Sequence, residues 1–523
     1  MKIALAQLNY TIGDFQHNKE KIVACIDSAK KQNVQLVVFS EQAISGAPAY
    51  DLLNKVSFLN LCEETLQEIA THCEGISVLI GLPVQGANKT ISVAALIENK
   101  RIKRYIGKQT IITRDEMPYI SPSKGCEYIK IGDKKIAVVV GEDIRTEQQY
   151  GEYTDIIVNL SNSSYCRGKI EKRYDFYRQL AFMTGKPIIY VNSVGAQTDI
   201  IYDGSSAFIN SRGEAVALLK SFEEDFQIVD CDEDTQTLEF PKQNKTINVF
   251  NAIKLGLKDY FSKNGFKKAC LGLSGGIDSA VVLSMAAEAL GAENVRVLLM
   301  PSQFSSDHSV EDARKLAENL GVEYQIVPIN ETFAALTTTL GPVFGELPFD
   351  VTEENMQSRI RGMMMMAISN KFGNVLLSTA NKSEIATGYG TLYGDMVGAL
   401  SIIGDLYKSE VYDLARYINR DKEIIPINTI IKAPSAELRL EQKDSDSLPP
   451  YDILDAILYR MIEEGQSREE IINAGFDEEE VYRVYNMVRT SEFKRYQYCP
   501  TLRLSTCTLG INRHLPLTNK YGY

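Results

Sequence analysis

The sequence predicts an α/β protein of two domains, 1–240 and 241–523, and three observations carry that prediction. Up to about residue 230, short β-branched runs are separated by amphipathic stretches and by closely spaced strand pairs. The stretch 231–247 (CDEDTQTLEFPKQNKTI) is polar and interrupted by Pro241, the composition of a linker. From about residue 248, helices and apolar strands alternate, the pattern of a doubly wound parallel sheet with helices on both faces.

Taken in order, strands are expected at 2–8 (KIALAQL), 34–40 (VQLVVFS), 76–81, 91–98, 134–140 (KKIAVVV) and 154–160 (TDIIVNL). Each is short, apolar and bounded by turn residues. Amphipathic helices fit at 18–33, 57–73 and 168–185, and strand pairs follow one another near 91–106 and 200–230. In the second block a helix over 248–263 leads to a strand (267–273), a helix (279–290), a strand (294–300), a helix (308–320) and a strand (322–328). A further helix–strand unit covers 353–379, and the remainder is mostly helical. The four methionines at 363–366 read as core filling.

Composition narrows the function classes. With 44% hydrophobic and 24% charged residues, the chain reads as soluble and globular, and 523 residues suffice for two or three full cores. No apolar run is long enough to span a membrane, and MKIALAQLNY reads as a strand, not a signal peptide. A net charge of −12 argues against general nucleic-acid binding. Nine cysteines without a CxxC pair and four scattered histidines indicate neither a disulfide scaffold nor His-based metal catalysis. A reduced, cytoplasmic, multidomain protein with no nucleic-acid or membrane partner is the expectation. Charge separates near the C-terminus: 463–480 hold eight acids against one arginine, whereas 483–523 hold seven Lys and Arg against Glu492 alone. The acidic part reads as a solvated helix face, and the basic tail suits a phosphate-bearing ligand.

The strongest chemical signal is LGLSGGIDS at 271–279, where an apolar strand runs into glycines and a helix opens. Glycines let the backbone turn tightly and aim several N–H groups at one anion, and the helix start adds unpaired donors. Ser274 and Ser279 add hydroxyls, and Asp278 suits Mg²⁺ better than phosphate, which it would repel. No GxxxxGK[ST] string occurs, so this is not a Walker A loop. SGGxDS resembles instead the pyrophosphate loop of ATP pyrophosphatases, which cleave ATP between the α and β phosphates. Downstream, MPSQFSS (300–306), ENMQSRIRG (354–362), STANKSE (378–384), YGTLYGD (389–395), APSAEL (433–438), SLPPYD (447–452) and FKRYQ (493–497) resemble NAD synthetases in order. A GMP-forming or tRNA-modifying amidotransferase would not explain the last three strings together. The resemblance is dense over 250–523 and looser before it, and the whole is similar to the long, glutamine-dependent bacterial form.

That resemblance implies a set of site residues. Gly272, Leu273, Ser274, Gly275, Gly276, Ile277, Asp278, Ser279 and Thr379 would meet ATP. Lys408 and Lys432 would lie near the phosphates as mobile point charges, and Lys408 is also a candidate catalytic group. Asn355, Glu384 and Lys494 would meet deamido-NAD, and Asp278 and Glu384 would hold Mg²⁺. It further implies homo-oligomers, with dimers formed through the synthetase domain. The reaction implied is ATP-dependent amidation of deamido-NAD through an adenylate, releasing AMP and pyrophosphate.

The first half resembles the nitrilase or carbon–nitrogen hydrolase fold, an αββα sandwich working with Glu, Lys and Cys. Glu41, ending VQLVVFSE, and Lys108, in YIGK, match the family's glutamate and lysine. The family's cysteine follows a buried strand as Cys-Glu-Asp, yet here IAVVV is followed by Gly141, Glu142 and Asp143. Neither Cys126 nor Cys166 stands at that strand-to-helix corner. Arg114 occupies the place of the family's glutamine-binding tyrosine, while Ser163 and Lys169 match its other glutamine contacts. The expectation is a half-kept pocket without its nucleophile, so that ammonia is the nitrogen donor. Two alternatives stay open: glutamine hydrolysis by another nucleophile, and a first domain that serves only as a scaffold or ligand sensor.

Overall fold

The structure is a computed structural model that describes residues 1–145, 153–232, 236–440 and 442–520. It resolves into two compact units, Met1–Gln243 and Asn244–Tyr523. The centre of the predicted linker, 233–235, and the last three residues of the basic tail lie outside the described residues.

The first unit is built on two six-stranded sheets. One runs in the order Asp225–Asp230, Lys2–Gln7, Leu36–Phe39, Ser77–Val84, Ile91–Glu98, Arg101–Gly107. The other runs Ala215–Leu218, Ala207–Ile209, Ile188–Asn192, Ile156–Ser161, Lys134–Val140, Glu127–Ile131. Because successive side chains on a strand point to opposite faces, Ile3 and Leu5 join Val138, Val140 and Val158 in a core between the sheets. Ala4, Val37 and Phe39 instead face Ile22, Ile26, Leu66 and Ile69 of helices α1 (Phe15–Lys31) and α2 (Val56–Thr71). Helix α3 (Lys169–Thr184) covers the second sheet, with Tyr177 against Tyr190 and Asn159 donating to the Tyr177 hydroxyl at 2.9 Å. The layers are therefore αββα, as expected.

The second unit opens with α4 (Lys245–Asn264), whose start is capped by the Asn244 side chain on the N–H groups of Thr246 and Ile247. The end of the predicted linker is thus helical. A five-stranded parallel sheet follows, ordered Glu323–Ile326, Val295–Leu299, Ala269–Gly272, Val375–Ser378, Leu400–Ser401. Helices α5 (Ile277–Leu290), α6 (Asp307–Leu320) and α8 (Val351–Phe372) alternate with its strands. Between α6 and α8 stands an unpredicted helix, α7 (Asn330–Phe344), none of whose residues is buried. The methionine run needs correction. Met365 joins the core, but Met363 and Met366 are exposed, because α8 turns positions 363 and 366 away from the sheet that 365 meets. Further on come α9 (Lys382–Thr387) and α10 (Lys408–Ile418). Among the described residues, no helix is long and apolar enough to cross a membrane.

Candidate functional site

In the second unit the strand Ala269–Gly272 delivers the chain to the loop at the head of α5. Gly275 has φ +80°, and a Cβ there would run into the Ser309 carbonyl, so the turn admits only glycine. Ser274 and Ser279 fasten the loop to itself: the Ser279 hydroxyl donates to the Gly276 carbonyl at 3.1 Å, and the Gly276 N–H donates to the Ser274 hydroxyl at 3.2 Å. The loop forms one wall of a cavity of about 310 Å³. Of the residues predicted for ATP, all but Gly275 line it, including Thr379, Lys408 and Lys432.

Charge in this cavity centres on Lys408, at the first turn of α10. Its ammonium lies 2.6 Å from Asp278 Oδ2 and 3.5 Å from Glu384 Oε1, with the side chain 3% exposed. Burial alone would lower its pKa, but Asp278 and Glu384 hold it well above the ordinary lysine range. Glu384 is pushed up to about 8, first by burial and then by the charge of Asp278. Lys432 Nζ donates to Ser309 Oγ at 3.1 Å at the head of α6. Asn355 and Lys494 do not line the cavity. They brace one of its walls instead: Asn355 Oδ1 accepts from the Thr391 hydroxyl at 2.6 Å, and Lys494 Nζ donates to the carbonyls of Gly388 and Gly390, each at 2.7 Å.

Three cavity residues escaped sequence reasoning. Asp444, buried, accepts from the hydroxyls of Tyr389 (3.2 Å) and Tyr451 (2.9 Å). Arg361 donates from Nε to the Met300 carbonyl at 2.9 Å, and burial lowers its pKa to about 10. Tyr389 lies inside a quoted string but was given no role. Only ENMQSRIRG, which contains Arg361, offered a signal for the arginine.

Among the described residues no cluster of three or more His, Cys, Asp or Glu forms a ready-made cation site. Asp278 and Glu384 nevertheless fit Mg²⁺, which binds one or two carboxylates and completes its shell with phosphate oxygens and water. Glu384 and Asp278 are two carboxylates facing the single ammonium of Lys408.

In the first unit Glu41 follows the strand Leu36–Phe39 on a turn pinned to the next strand, since Gly81 N–H donates to the Ser40 carbonyl at 3.2 Å. Lys108 follows the strand Arg101–Gly107 and is 2% exposed. Its ammonium lies 3.0 Å from Glu41 Oε1 and 2.7 Å from Glu116 Oε1. Glu116 is the residue that the sequence concealed, since it stands in a segment whose pattern departs from the family's. Burial raises Glu41 to about 7, with Lys108 opposing and Glu116 adding to the rise.

The strand Lys134–Val140 ends at Gly141, which opens a short 3₁₀ turn at φ +58°. A Cβ built there would sit 2.8 Å from both Glu41 Oε2 and Lys108 Nζ. Position 141 is therefore aimed at the acid–base pair, and the lysine has settled into space that a side chain would need. The turn beyond is locked by Asp143, which accepts from the backbone N–H groups of Gln109 (2.8 Å) and Thr110 (2.5 Å). A cavity of about 60 Å³ opens over Glu41, Lys108, Glu116 and Gly141, and no cysteine is among its lining residues. Burial pushes the Cys126 thiol up to about 11, which suppresses its nucleophilic form. Arg114, Ser163 and Lys169 do not line this cavity either. Arg114 is exposed, Ser163 donates its N–H to Asn192 Oδ1 at 2.8 Å, and Lys169 donates to the Ser164 carbonyl at 2.7 Å.

These two centres define a class. Residues 2–240 match the carbon-nitrogen hydrolase family, and residues 249–498 match the NAD synthase family. The combination recurs along whole relatives. A glutamine-dependent NAD(+) synthetase from Synechocystis sp. is 42% identical over 550 residues, covering 99% of each chain, and one from Thermotoga maritima is 39% identical over 570 residues, covering 100% of this chain and 99% of its own. The chain belongs to the glutamine-dependent NAD(+) synthetase family, whose members are carbon–nitrogen ligases with an ATP-binding synthetase domain. Among solved structures, the glutamine-dependent NAD+ synthetase of Acinetobacter baumannii in complex with ADP is 35% identical, with a TM-score of 0.79 over 99% of this chain and 98% of that one. The corresponding enzyme of Cytophaga hutchinsonii, 21% identical with a TM-score of 0.87 over 99% of this chain and 98% of its own, agrees in fold.

Proposed function

We propose that this chain makes NAD+ by amidating deamido-NAD at the expense of ATP, and that ammonia is the nitrogen donor. The observation that carries the synthetase reading is Lys408 set between Asp278 and Glu384 beside the 272–279 loop, within one cavity of about 310 Å³. The deamido-NAD carboxylate attacks the α-phosphorus of ATP, forming an acyl adenylate and expelling pyrophosphate. Ammonia then attacks the acyl carbon, and AMP leaves. N–H groups at the head of α5 hold the departing pyrophosphate, and Lys408 and Lys432 offset charge that grows as the phosphorus becomes five-coordinate. Mg²⁺ held by Asp278 and Glu384 would supply further charge neutralisation on the phosphates. Asn355 and Lys494 support the deamido-NAD side through the 388–391 loop. Homo-oligomerisation belongs to the same reading, supported by the apolar Val343, Leu347 and Val351 left exposed around α7 and the start of α8.

Ammonia as donor is supported by Gly141, since glycine cannot form a thioester at the Glu41–Lys108 pair. A second reading is favoured by the names of the relatives and by the intact Glu41–Lys108–Glu116 network: glutamine is hydrolysed here by a group other than a cysteine at 141. The deciding experiment measures NAD+ formation with ammonium and, separately, with ammonia-free glutamine, on the natural chain and on Gly141→Cys. Ammonium-only activity in the natural chain, with covalent labelling by an electrophilic glutamine analogue only in Gly141→Cys, is the expected result. Comparable rates with both donors in the natural chain would refute the ammonia reading and favour the second.

A further inference from the structure

The two carboxylates of the synthetase cavity are framed from two sides. Lys408 holds one oxygen of each, Asp278 Oδ2 at 2.6 Å and Glu384 Oε1 at 3.5 Å. The other oxygen of each is held by Asn381, which stands in the STANKSE string and was given no role there. Asn381 donates from its side-chain Nδ2 to Asp278 Oδ1 at 2.9 Å, and from its backbone N–H to Glu384 Oε2 at 3.0 Å. Asn381 is wholly buried and does not line the cavity, so it does not touch a ligand there.

We infer that Asn381 is a positioning residue that fixes the Asp278 and Glu384 carboxylates, on α5 and α9, in one geometry for the adenylation step. Helix capping explains only part of its bonding. As the N-cap of α9 it accepts at Oδ1 from the Glu384 N–H at 3.0 Å, with Glu384 returning the bond in a capping box. Capping has no use for the Nδ2 donor, which reaches a carboxylate 103 residues earlier in the chain. A neutral amide suits that place, because it offers a donor and an acceptor at once without changing the charge between the acids and Lys408. With every oxygen of both acids tethered by Asn381 or Lys408, the lone pairs left over keep a fixed separation. Outer groups that orient carboxylates in this way are each worth about 10–100-fold in metal affinity or activity.

The inference rests on the assignment of Asp278 and Glu384 proposed above, and two substitutions test it. Asn381→Asp keeps the cap acceptor, removes the amide donor and turns a carboxylate toward Asp278. Asn381→Ser keeps a cap hydroxyl and stays neutral, but cannot reach Asp278 with an amide. Calorimetric titration with ATP, without deamido-NAD, is run on the full chain across a Mg²⁺ series and in chelator, beside thermal unfolding and steady-state kinetics. Asn381→Ser is expected to stay close to the natural thermal midpoint, Asn381→Asp to lose stability to its buried like-charge contact with Asp278, and both to bind ATP normally in chelator. Both should need about 10–100-fold more Mg²⁺ for half-maximal tight ATP binding, with kcat reduced and KM for deamido-NAD unchanged. A natural Mg²⁺ requirement in Asn381→Ser overturns the inference, as does a fall in thermal midpoint as the only change. Failure of the unmodified chain to form AMP from ATP and deamido-NAD sinks the functional reading instead, and shows before any variant is measured.

Discussion

Glu41 illustrates how a single buried acid reports on the first domain. Burial lifts it from 4.5 to about 7, Lys108 pulls it down, and Glu116 lifts it further. Between about pH 4.5 and 7 the folded chain therefore keeps a proton that the unfolded chain has released. The contribution of Glu41 to stability is complete below pH 4.5 and is lost as the pH rises through 7. In Glu41→Gln that slope should vanish, so chemical-denaturation midpoints of variant and natural chain should converge or cross as the pH rises from 5 to 7.5. An unchanged pH profile in the variant would show that Glu41 titrates normally. Glu41 and Lys108 were legible because each stands in a string that resembles the family's, not from strand position alone. Glu116 was not, because its meeting with Lys108 depends on a turn over 113–117 that no hydrophobic period announces. Lys408 was legible only as a match to the family's lysine near the phosphates. Its 2% exposure follows from packing against α5 and α9, which sequence spacing does not contain.

At the scale of elements, the phosphate loop was the most legible part, since strand, glycines and helix are contiguous and its conformation is local. Its sharpest constraint is not local, because Gly275 lies against the Ser309 carbonyl on α6. Gly275→Ala should destabilise the chain by at least about 1–3 kcal/mol, the cost of a left-handed non-glycine residue, and raise KM for ATP. Urea unfolding and initial-rate kinetics read the two effects, and a silent substitution would mean that the loop and α6 are not in close contact. Helix α7 stayed hidden for the opposite reason. It buries no residue fully and meets the core only through half-buried Phe333 and Leu336, so the apolar signal by which a helix is found is weak there. The exposure of Met363 and Met366 has the same origin, because a run of one residue type carries no period.

For the whole molecule, composition and alternation sufficed to expect two α/β units, because each buries its own apolar strands. The second unit, Asn244–Tyr523, contains its full sheet and the entire synthetase cavity. A chain beginning at Asn244 is accordingly expected to unfold cooperatively in circular dichroism and to form NAD+ from ammonium. If it aggregates, or makes no NAD+ while the full chain does, the first domain is needed for more than nitrogen supply.

The backbone at position 141 carries a consequence of its own. A left-handed residue with a side chain stands about 1–2 kcal/mol above glycine in the same conformation. Any reactive group mounted on that corner would be held there uphill, by neighbours stiff enough to stop the backbone relaxing. Glycine sits there at rest. Mutational drift at this codon is therefore asymmetric: arrival at glycine is rewarded by folding alone, and departure from it must be won by selection for chemistry.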